Sequence, residues 1–334
     1  MNNPDQSTDR IPRWTEWSIS VLNGMVGDYL QERQNGLAIN MAYYQHNRPL
    51  LITADNLRQT FSNPTPKLCL LIHGLGCNEG VWAFADKIHH DPTCSYGTLL
   101  QQDLGYTPFY LRYNTGLSVA ENGKQLSRLL DELLTCYPVS VDEISLIGHS
   151  MGGLVLRSAC HYAIHHQYDW VKQVRRAFYL GTPHDGADLE KVGHVTTAVL
   201  AEVPNPITQL IGRILNLRSR GVKDLRFGNL VDEDWDDDFP DKSSSHRPKA
   251  VPWLAHAHHY LIVGTVTGDP RHPASRLLGD TLVRVPPARR ASRNDSENAN
   301  QPAVNITVFP GVHHLGLAHD NGVYQQIKQW CEID

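Results

Sequence analysis

The chain has 334 residues, of which 41% are hydrophobic and 19% charged, and this composition excludes a protein that is disordered throughout. Its formal net charge of −5 argues against a basic stripe that binds nucleic acid, so no nucleic-acid partner is expected. No run approaches about 18 apolar residues, which excludes a membrane-spanning helix at the sequence level.

Residues 1–60 are expected to form an N-terminal helical extension that packs on the main domain. Apolar residues from Trp14 to Leu30 recur at helical spacing, and a second short helical segment is expected over residues 37–44. The chain begins without the basic start and apolar stretch of a secretory signal, which predicts a cytoplasmic protein. The six cysteines show no zinc-ligand spacing and predict free thiols, and no metal site is expected.

Strands and helices alternate through residues 67–334, the expected main domain. Short apolar runs predict two buried strands, Lys67–Ile72 and Glu143–Ile147. Three further strands are predicted at Val174–Leu180, His259–Thr265 and Val304–Phe309. Helical spacing or position predicts helices over Asn114–Leu134, Leu154–Tyr162 and Asn321–Cys331. This alternation predicts an α/β fold with a mostly parallel central sheet and helices on both faces.

The motif Gly-His-Ser-Met-Gly directly follows the second predicted strand. A nucleophilic serine must stand on a tight turn between a strand and a helix, with its hydroxyl exposed. Gly148 and Gly152 lie two residues before and two after Ser150, where side chains would collide with the strand and the helix. We therefore predict that Ser150 is a nucleophile and that Gly148, His149 and Gly152 shape its turn.

A second motif directly follows the first predicted strand and consists of His73, Gly74, Leu75 and Gly76. Acyl transfer at a serine develops an oxyanion, which needs preorganised N–H donors. The predicted donors are the backbone N–H groups of Leu75 and of Met151, the residue after the serine. Because the donors are backbone groups, the identity of their side chains matters little. The glycines of this motif are expected to keep the loop close to the serine.

These two motifs, followed by Gly-Thr-Pro-His-Asp-Gly at residues 181–186, resemble those of α/β-hydrolases of the bacterial lipase and esterase type. The Gly-Thr-Pro-His segment is also similar to that of the GPI inositol-deacylase-like branch. The similarity covers residues 67–334, except for much of 190–256. It implies the α/β-hydrolase fold and an enzyme that cleaves carboxylic esters through a Ser-His-Asp triad and an acyl-enzyme, without a cofactor.

The resemblance also implies the other two triad residues. The catalytic histidine belongs on the loop after the last strand, where His313 and His314 are adjacent, and the family pattern selects His314. The acid should follow the fourth strand, where Asp269 comes first. Asp280, however, lies in a Gly-Asp-Thr-Leu-Val segment that resembles the Gly-Asp-Gly-Leu-Val of lipases, which implies Asp280. Asp185 precedes the expected position and is interpreted as a loop-shaping residue.

Two insertions interrupt the alternation of strands and helices. Residues 187–256 stand where α/β-hydrolases carry a cap. Either this cap covers the serine, forms an acyl-chain pocket and makes transient contact with a lipid surface, or its apolar faces only pack on the sheet. Its acidic run, residues 232–238, predicts a solvated loop rather than a calcium site. Residues 286–303 are polar and turn-rich and predict a flexible loop.

The expected partner is an ester or lipid-like small molecule. An acyltransferase or a thioesterase would use the same residues on the same fold, so these activities remain alternatives. A non-catalytic binding protein is a further alternative, but such a protein would usually have lost the serine, the histidine or an oxyanion glycine, all of which are present here.

Overall fold

The computed structural model describes residues 13–84, 91, 93–187, 219–235, 248–265 and 304–333. Within these ranges the strands form one eight-stranded sheet in the order β2-β1-β4-β3-β5-β6-β7-β8. The strands are β1 (Ala42–Gln45), β2 (Arg48–Pro49), β3 (Lys67–Ile72), β4 (Thr107–Arg112), β5 (Glu143–His149), β6 (Val174–Leu180), β7 (His258–Gly264) and β8 (Val304–Phe309). Strand β1 is antiparallel to both β2 and β4, and the strands from β4 to β8 are parallel.

The described α-helices are α1 (Arg13–Glu32), α2 (Ala54–Thr60), α3 (Tyr96–Leu104), α4 (Val119–Cys136), α5 (Met151–His165), α6 (Arg220–Phe227) and α7 (Asn321–Glu332). Short 3-10 helices cover Glu79–Trp82, Asp169–Gln173, Asp232–Asp234 and Leu315–Ala318. Helix α4 packs on α5, and α3 packs on α7 and β4. This is the mostly parallel sheet with helices that the sequence predicted. None of the helices within the described ranges is long and apolar enough to cross a membrane.

Strands β3 and β5 lie side by side at the centre of the sheet. From Leu68 to Ile72 every side chain of β3 is at most 2% exposed, which explains the continuous apolar run in the sequence. The two strands pair in parallel, with Ile72 opposite Gly148. Because they end at the same edge, the loops that follow them meet there.

The N-terminal extension contains more than helices. Helix α1 matches the predicted first helix, although Val26 has non-helical backbone angles and kinks it. The helix expected over residues 37–44 is wrong, because the chain there leads into β1. Tyr43 of β1 is fully buried and pairs with Leu111 of β4, so pairing at the sheet edge decides the structure of this segment.

Helix α4 starts later than the sequence predicted. Its N-cap is Ser118, whose side chain accepts a hydrogen bond from the N–H of Glu121. The preceding residues form a loop in which the Asn114 side chain accepts from the N–H of Gly116 at 3.0 Å. A local side-chain bond of this kind competes with helix formation. The expected helix start at Asn114 is therefore wrong by five residues.

Part of the expected cap lies within the described residues and contains α6. The helical stretches expected at residues 196–200 and 207–217, and the flexible loop at 286–303, lie outside the described residues. The acidic run is only partly solvated, because the Asp234 side chain is 3% exposed. It accepts hydrogen bonds from the backbone N–H groups of Leu230, Val231 and Lys249 and so closes a turn.

Candidate active site

Ser150 stands between β5 and α5 in a strained backbone conformation. Its φ is 54° and its ψ is −123°, in a region that residues with a Cβ atom rarely adopt. Its N–H donates to the carbonyl oxygen of Leu180, at the end of β6, over 2.8 Å. The residue is 1% exposed, and its Oγ forms no hydrogen bond with another described residue. The hydroxyl is therefore held at the strand end without a hydrogen-bond partner among the described residues.

The glycines around Ser150 allow close packing of the turn. A Cβ atom placed at Gly148 would lie 2.6 Å from the Cα atom of Gly153. A Cβ atom at Gly152 would lie 2.3 Å from the carbonyl oxygen of Ile72, at the end of β3. Real Cβ contacts are not this short, so any side chain at either position would force the strand and helix apart.

The loop after β3 lies directly beside Ser150. A Cβ atom at Gly74 would be 2.9 Å from the Cβ atom of Ser150. The loop forms a turn in which the N–H of Cys77 donates to the carbonyl oxygen of Gly74 at 3.2 Å, and Gly76 has a positive φ of 68°. The N–H of Leu75 is not used in closing this turn. A backbone N–H beside the serine is the kind of donor that oxyanion binding requires.

Met151 is the first residue of α5 and is fully buried. The N–H groups in the first turn of a helix have no acceptor within the helix, and the helix dipole makes this end positive. The N–H of Met151 therefore suits an anion beside Ser150. Both predicted oxyanion donors thus lie on segments that flank the serine.

His73 is a buried neutral residue that supports the loop. Burial lowers its pKa to about 3. Its Nδ1 donates to the carbonyl oxygen of Gly74 at 2.9 Å, and its ring stacks on Tyr113 at a centroid distance of 4.5 Å. The hydroxyl of Tyr113 donates in turn to the carbonyl oxygen of His73 at 2.8 Å. A histidine with so low a pKa shapes the loop and does not act as a base near neutral pH.

The structure brings His314, and not His313, to the serine turn. His314 is 4% exposed and precedes the 3-10 helix Leu315–Ala318, whereas His313 is exposed and its Nδ1 accepts from the N–H of Gly316. The Nε2 of His149 donates to the carbonyl oxygen of His314 at 3.0 Å. The rings of His149 and His314 have centroids 4.8 Å apart. His149, the residue before Ser150, therefore ties the loop that carries His314 to the serine turn.

Both candidates for the catalytic acid, Asp269 and Asp280, lie outside the described residues. The described strand β7 ends at Gly264 beside β8. Asp185 is exposed, and the chain around it turns at Gly186, whose φ is 80°. The loop-shaping role of Asp185 stays a prediction.

The segment after β6 packs on the start of α5 through Thr182 and against Trp253 and Arg157 through His184. A Cβ atom at Gly153 would be 2.0 Å from the Oγ1 of Thr182, so Thr182 packs directly on the start of α5. His184 lies against the ring of Trp253 at 4.9 Å, and a guanidinium nitrogen of Arg157 lies 3.3 Å from its Nδ1. Burial, followed by the nearby positive charge of Arg157, lowers the pKa of His184 well below its usual value. His184 is thus a packed neutral residue rather than a base.

Sequence reasoning missed Thr115. Its Oγ1 accepts a hydrogen bond of 3.0 Å from the N–H of Gly76, in the loop beside Ser150. The expected helix from Asn114 concealed this polar turn. The signal that could have revealed it is the Asn-Thr-Gly sequence directly after an aromatic strand, because these residue types favour turns.

In the part of the chain that the structure describes, no three or more histidine, cysteine, aspartate or glutamate side chains form a group that could hold a metal ion. The six cysteines all fall in the described ranges, and none of them forms a disulfide there.

Residues 62–219 match the family described as "Putative serine esterase (DUF676)". No curated protein matches the chain. Similar solved structures include the mature lipase BlEst2 of Bacillus licheniformis, with 18% identity and a TM-score of 0.44 over 80% of this chain and 94% of that chain. The esterase Pf2001 of Pyrococcus furiosus has 16% identity and a TM-score of 0.44 over 80% and 81%. The esterase RhEst1 of Rhodococcus sp. ECU1013 has 14% identity and a TM-score of 0.44 over 81% and 92%.

Proposed function

We propose that this chain, whose residues 62–219 match the family described as "Putative serine esterase (DUF676)", is a carboxylic ester hydrolase that works through a triad of Ser150, His314 and Asp280. Its substrate is a small-molecule ester. The observation that carries the proposal is the strained turn at Ser150, which holds a buried hydroxyl beside Gly74. Within the part of the chain that the structure describes, this hydroxyl forms no hydrogen bond. Strain of this kind persists where the surrounding structure determines it and concentrates at functional sites.

In this mechanism His314 takes the proton of the Ser150 hydroxyl as its oxygen attacks the ester carbonyl carbon. The negative charge that develops on the carbonyl oxygen is stabilised by the N–H groups of Leu75 and Met151. The C–O bond then breaks, His314 gives the proton to the leaving alcohol, and an acyl-enzyme remains on Ser150. Water, deprotonated by the same histidine, attacks the acyl-enzyme and releases the acid.

Asp280 would hold His314 in the tautomer that accepts the serine proton and would stabilise the imidazolium that forms. The competing acid is Asp269, which comes sooner after β7 in the sequence. We expect Asp280→Asn to lower kcat far more than Asp269→Asn. Steady-state kinetics of the two variants side by side test this, and the reverse ranking would assign the role to Asp269.

The cap is proposed to cover the serine and to form an acyl-chain pocket. In support, α6 starts close to the site, because a Cβ atom at Gly221 would lie 2.0 Å from the carbonyl oxygen of Thr115 and 3.0 Å from the Cε of Met151. A bulkier residue at Gly221 should therefore change the preferred acyl length. An unchanged preference in an active, folded variant would leave the cap only a packing role.

The test of the function is hydrolysis of p-nitrophenyl esters from acetate to palmitate, with Ser150→Ala as the control. Removal of the nucleophile should lower kcat by up to roughly a millionfold. A fluorophosphonate probe should label the wild-type chain and leave the variant unlabelled. Hydrolysis that persists in the variant would refute the assignment, and a product that requires added alcohol or CoA would indicate acyl transfer instead.

A further inference from the structure

Helix α1 lies directly against the loop that carries the proposed oxyanion donor. A Cβ atom placed at Gly24 would be 3.0 Å from both the Cα and N atoms of Gly76, and 3.2 Å from the Oγ1 of Thr115. Such distances are tighter than ordinary contacts, so no space remains between this part of the helix and the loop. The contact joins residues of the N-terminal extension to the turn next to Ser150.

Thr115 fixes the same loop from a second side. Its Oγ1 accepts from the N–H of Gly76 at 3.0 Å, and the residue is 1% exposed. This bond sets the plane of the peptide between Leu75 and Gly76. The N–H of Leu75 belongs to the peptide immediately before, so a rotation of one plane changes the direction of the other.

The loop that carries Thr115 is itself tied to α1. The Nδ2 of Asn114 donates to the carbonyl oxygen of Gly27 at 2.9 Å, directly after the kink at Val26. The Oγ of Ser219, at the start of α6, donates to the carbonyl oxygen of Gly24 at 2.7 Å. Hydrogen bonds on both sides of the kink therefore hold this stretch of α1 in place against the active-site loops.

We propose that Thr115 and Gly24 are positioning residues that hold the Leu75 N–H in the direction oxyanion stabilisation requires. Helix α1, which lies before the family-matched segment, is then part of the framework of the active site. This inference rests on the proposed roles of Ser150 and Leu75. Preorganised donors lose their effect when they are displaced by small distances, so a loop held from two sides is an advantage.

The first experiment compares Thr115→Val, which removes the acceptor at nearly constant shape, with Thr115→Ser, which keeps it. Activity towards p-nitrophenyl butyrate is expressed per active site, after titration with a fluorophosphonate. We expect Thr115→Val to lower kcat by about ten- to a hundredfold and to change KM by less than about threefold. Its affinity for butylboronic acid, which forms a tetrahedral adduct with the serine, should fall with kcat/KM. Thr115→Ser should restore most of both.

The second experiment compares Gly24→Ala with Gly36→Ala. The new methyl group at Gly24 presses on Gly76, whereas a Cβ atom at Gly36 meets nothing within 4 Å. Alanine is also a better helix former than glycine, so Gly24→Ala does not weaken α1 through its intrinsic preference. We expect kcat per titrated site to fall several-fold in Gly24→Ala and to stay at the wild-type value in Gly36→Ala.

A merely structural role would reduce the fraction of titratable sites and leave kcat per site unchanged. That result in Thr115→Val, or in Gly24→Ala if the valine variant does not fold, would overturn the inference. An inactive wild-type chain that the probe does not label would instead refute the proposed function. The two failures are therefore distinguishable from the first measurement onwards.

Discussion

Ser150 holds a backbone conformation that is unfavourable for any residue with a Cβ atom. Conformations of this kind cost about 1–3 kcal/mol each and persist when the surroundings determine them. Here the surroundings include the hydrogen bond to Leu180 and the close packing of Gly148 and Gly152. This strained conformation places the hydroxyl at the end of β5, whereas a relaxed turn would direct it elsewhere.

Ser150→Gly is therefore expected to be more stable than Ser150→Ala by about 1 kcal/mol. Glycine adopts the positive φ without strain, and its greater conformational entropy in the unfolded chain offsets only part of this gain. Both variants lack the hydroxyl, so the comparison isolates the Cβ atom. Urea unfolding of the two proteins measures the difference. Equal stability would mean that the turn is not strained.

The hydrogen bond from His149 to the backbone of His314 leads to a second prediction. His149→Phe keeps an aromatic ring but removes the donor, so the loop that carries His314 loses a hydrogen bond to the serine turn. We expect kcat to fall by about tenfold or more with little change in KM, since the base is displaced rather than the substrate. His165→Phe, at the exposed end of α5, is the matched control and should retain wild-type kinetics.

Motif spacing allowed the residues around the serine to be predicted, because the turn geometry requires glycines at fixed positions. Ser150 follows β5 and His314 follows β8, and the predicted parallel sheet places the ends of these two strands at the same edge. Thr115 could not be predicted in the same way. Its partner Gly76 is far away in the sequence, and no local pattern encodes a hydrogen bond between two loops.

Helix α6 is attached to α4 through a buried carboxyl group. The Oδ2 of Asp224 accepts from the N–H of Val119 at 2.7 Å, and its Oδ1 accepts from the Nδ2 of Asn229 at 2.9 Å. Asp224 is fully buried, and this burial raises its pKa to about 7. The carboxyl group thus connects α6 to the start of α4, and its pKa of about 7 lies near neutral pH.

Because the pKa of Asp224 is higher in the folded chain than its ordinary value of 3.8, the folded state binds more protons between about pH 4 and 7. The contribution of Asp224 to stability is therefore complete at low pH, and it is lost as pH rises towards about 7. As the pH rises from about 4 to 7, the free energy of unfolding should therefore fall less in Asp224→Asn than in the wild type. Urea unfolding of the wild type and of Asp224→Asn at several pH values measures this difference.

Strands that are buried along most of their length were predicted closely, as for β3 and β6. Strand β8 was also predicted, although its residues are exposed or half-buried. Strands β4 and β1 are among the elements that were missed. Strand β4 alternates buried and half-buried residues and includes Pro108, so it lacks a continuous apolar run. Strand β1 has only four residues, and its structure depends on pairing with β4. In both, neighbours in space and not local sequence determine the strand.

At the scale of the whole molecule, a cluster of charged side chains connects the N-terminal extension to the sheet. Arg112 of β4 donates from Nε to Glu79 at 2.7 Å and from Nη2 to Glu16 of α1 at 3.2 Å. Its guanidinium also lies over the ring of Tyr44 at 3.9 Å. The side chains of the three charged residues are 9–13% exposed, so little solvent screens them.

Arg112→Ala is expected to lower the free energy of unfolding by about 3–5 kcal/mol, because it leaves two neighbouring carboxylates buried without their cation. Arg58→Ala is the control, since Arg58 pairs with Asp55 on the surface and its side chain is 62% exposed. That variant should lose less than about 1 kcal/mol. Urea unfolding tests both, and equal losses would show that the cluster is not a structural support.

The alternation of strands and helices was sufficient to predict the α/β class of the whole chain. The arrangement of α1 was not predictable, because its helical pattern specifies an apolar face but not the surface that covers it. Its contacts with Gly76 and Arg112 join residues that are distant in sequence. Such contacts depend on the assembled sheet, which periodicity does not describe.

The pairing of β1 with β4 has a practical consequence for dissecting the molecule. The family-matched segment begins at residue 62, after β1, although β1 covers the outer edge of β4. A fragment excised at residue 62 would expose the unpaired N–H and C=O groups of β4 as a template for strands of other molecules. Such a fragment should aggregate rather than behave as a minimal enzyme, so the smallest transplantable unit of this fold starts before β1.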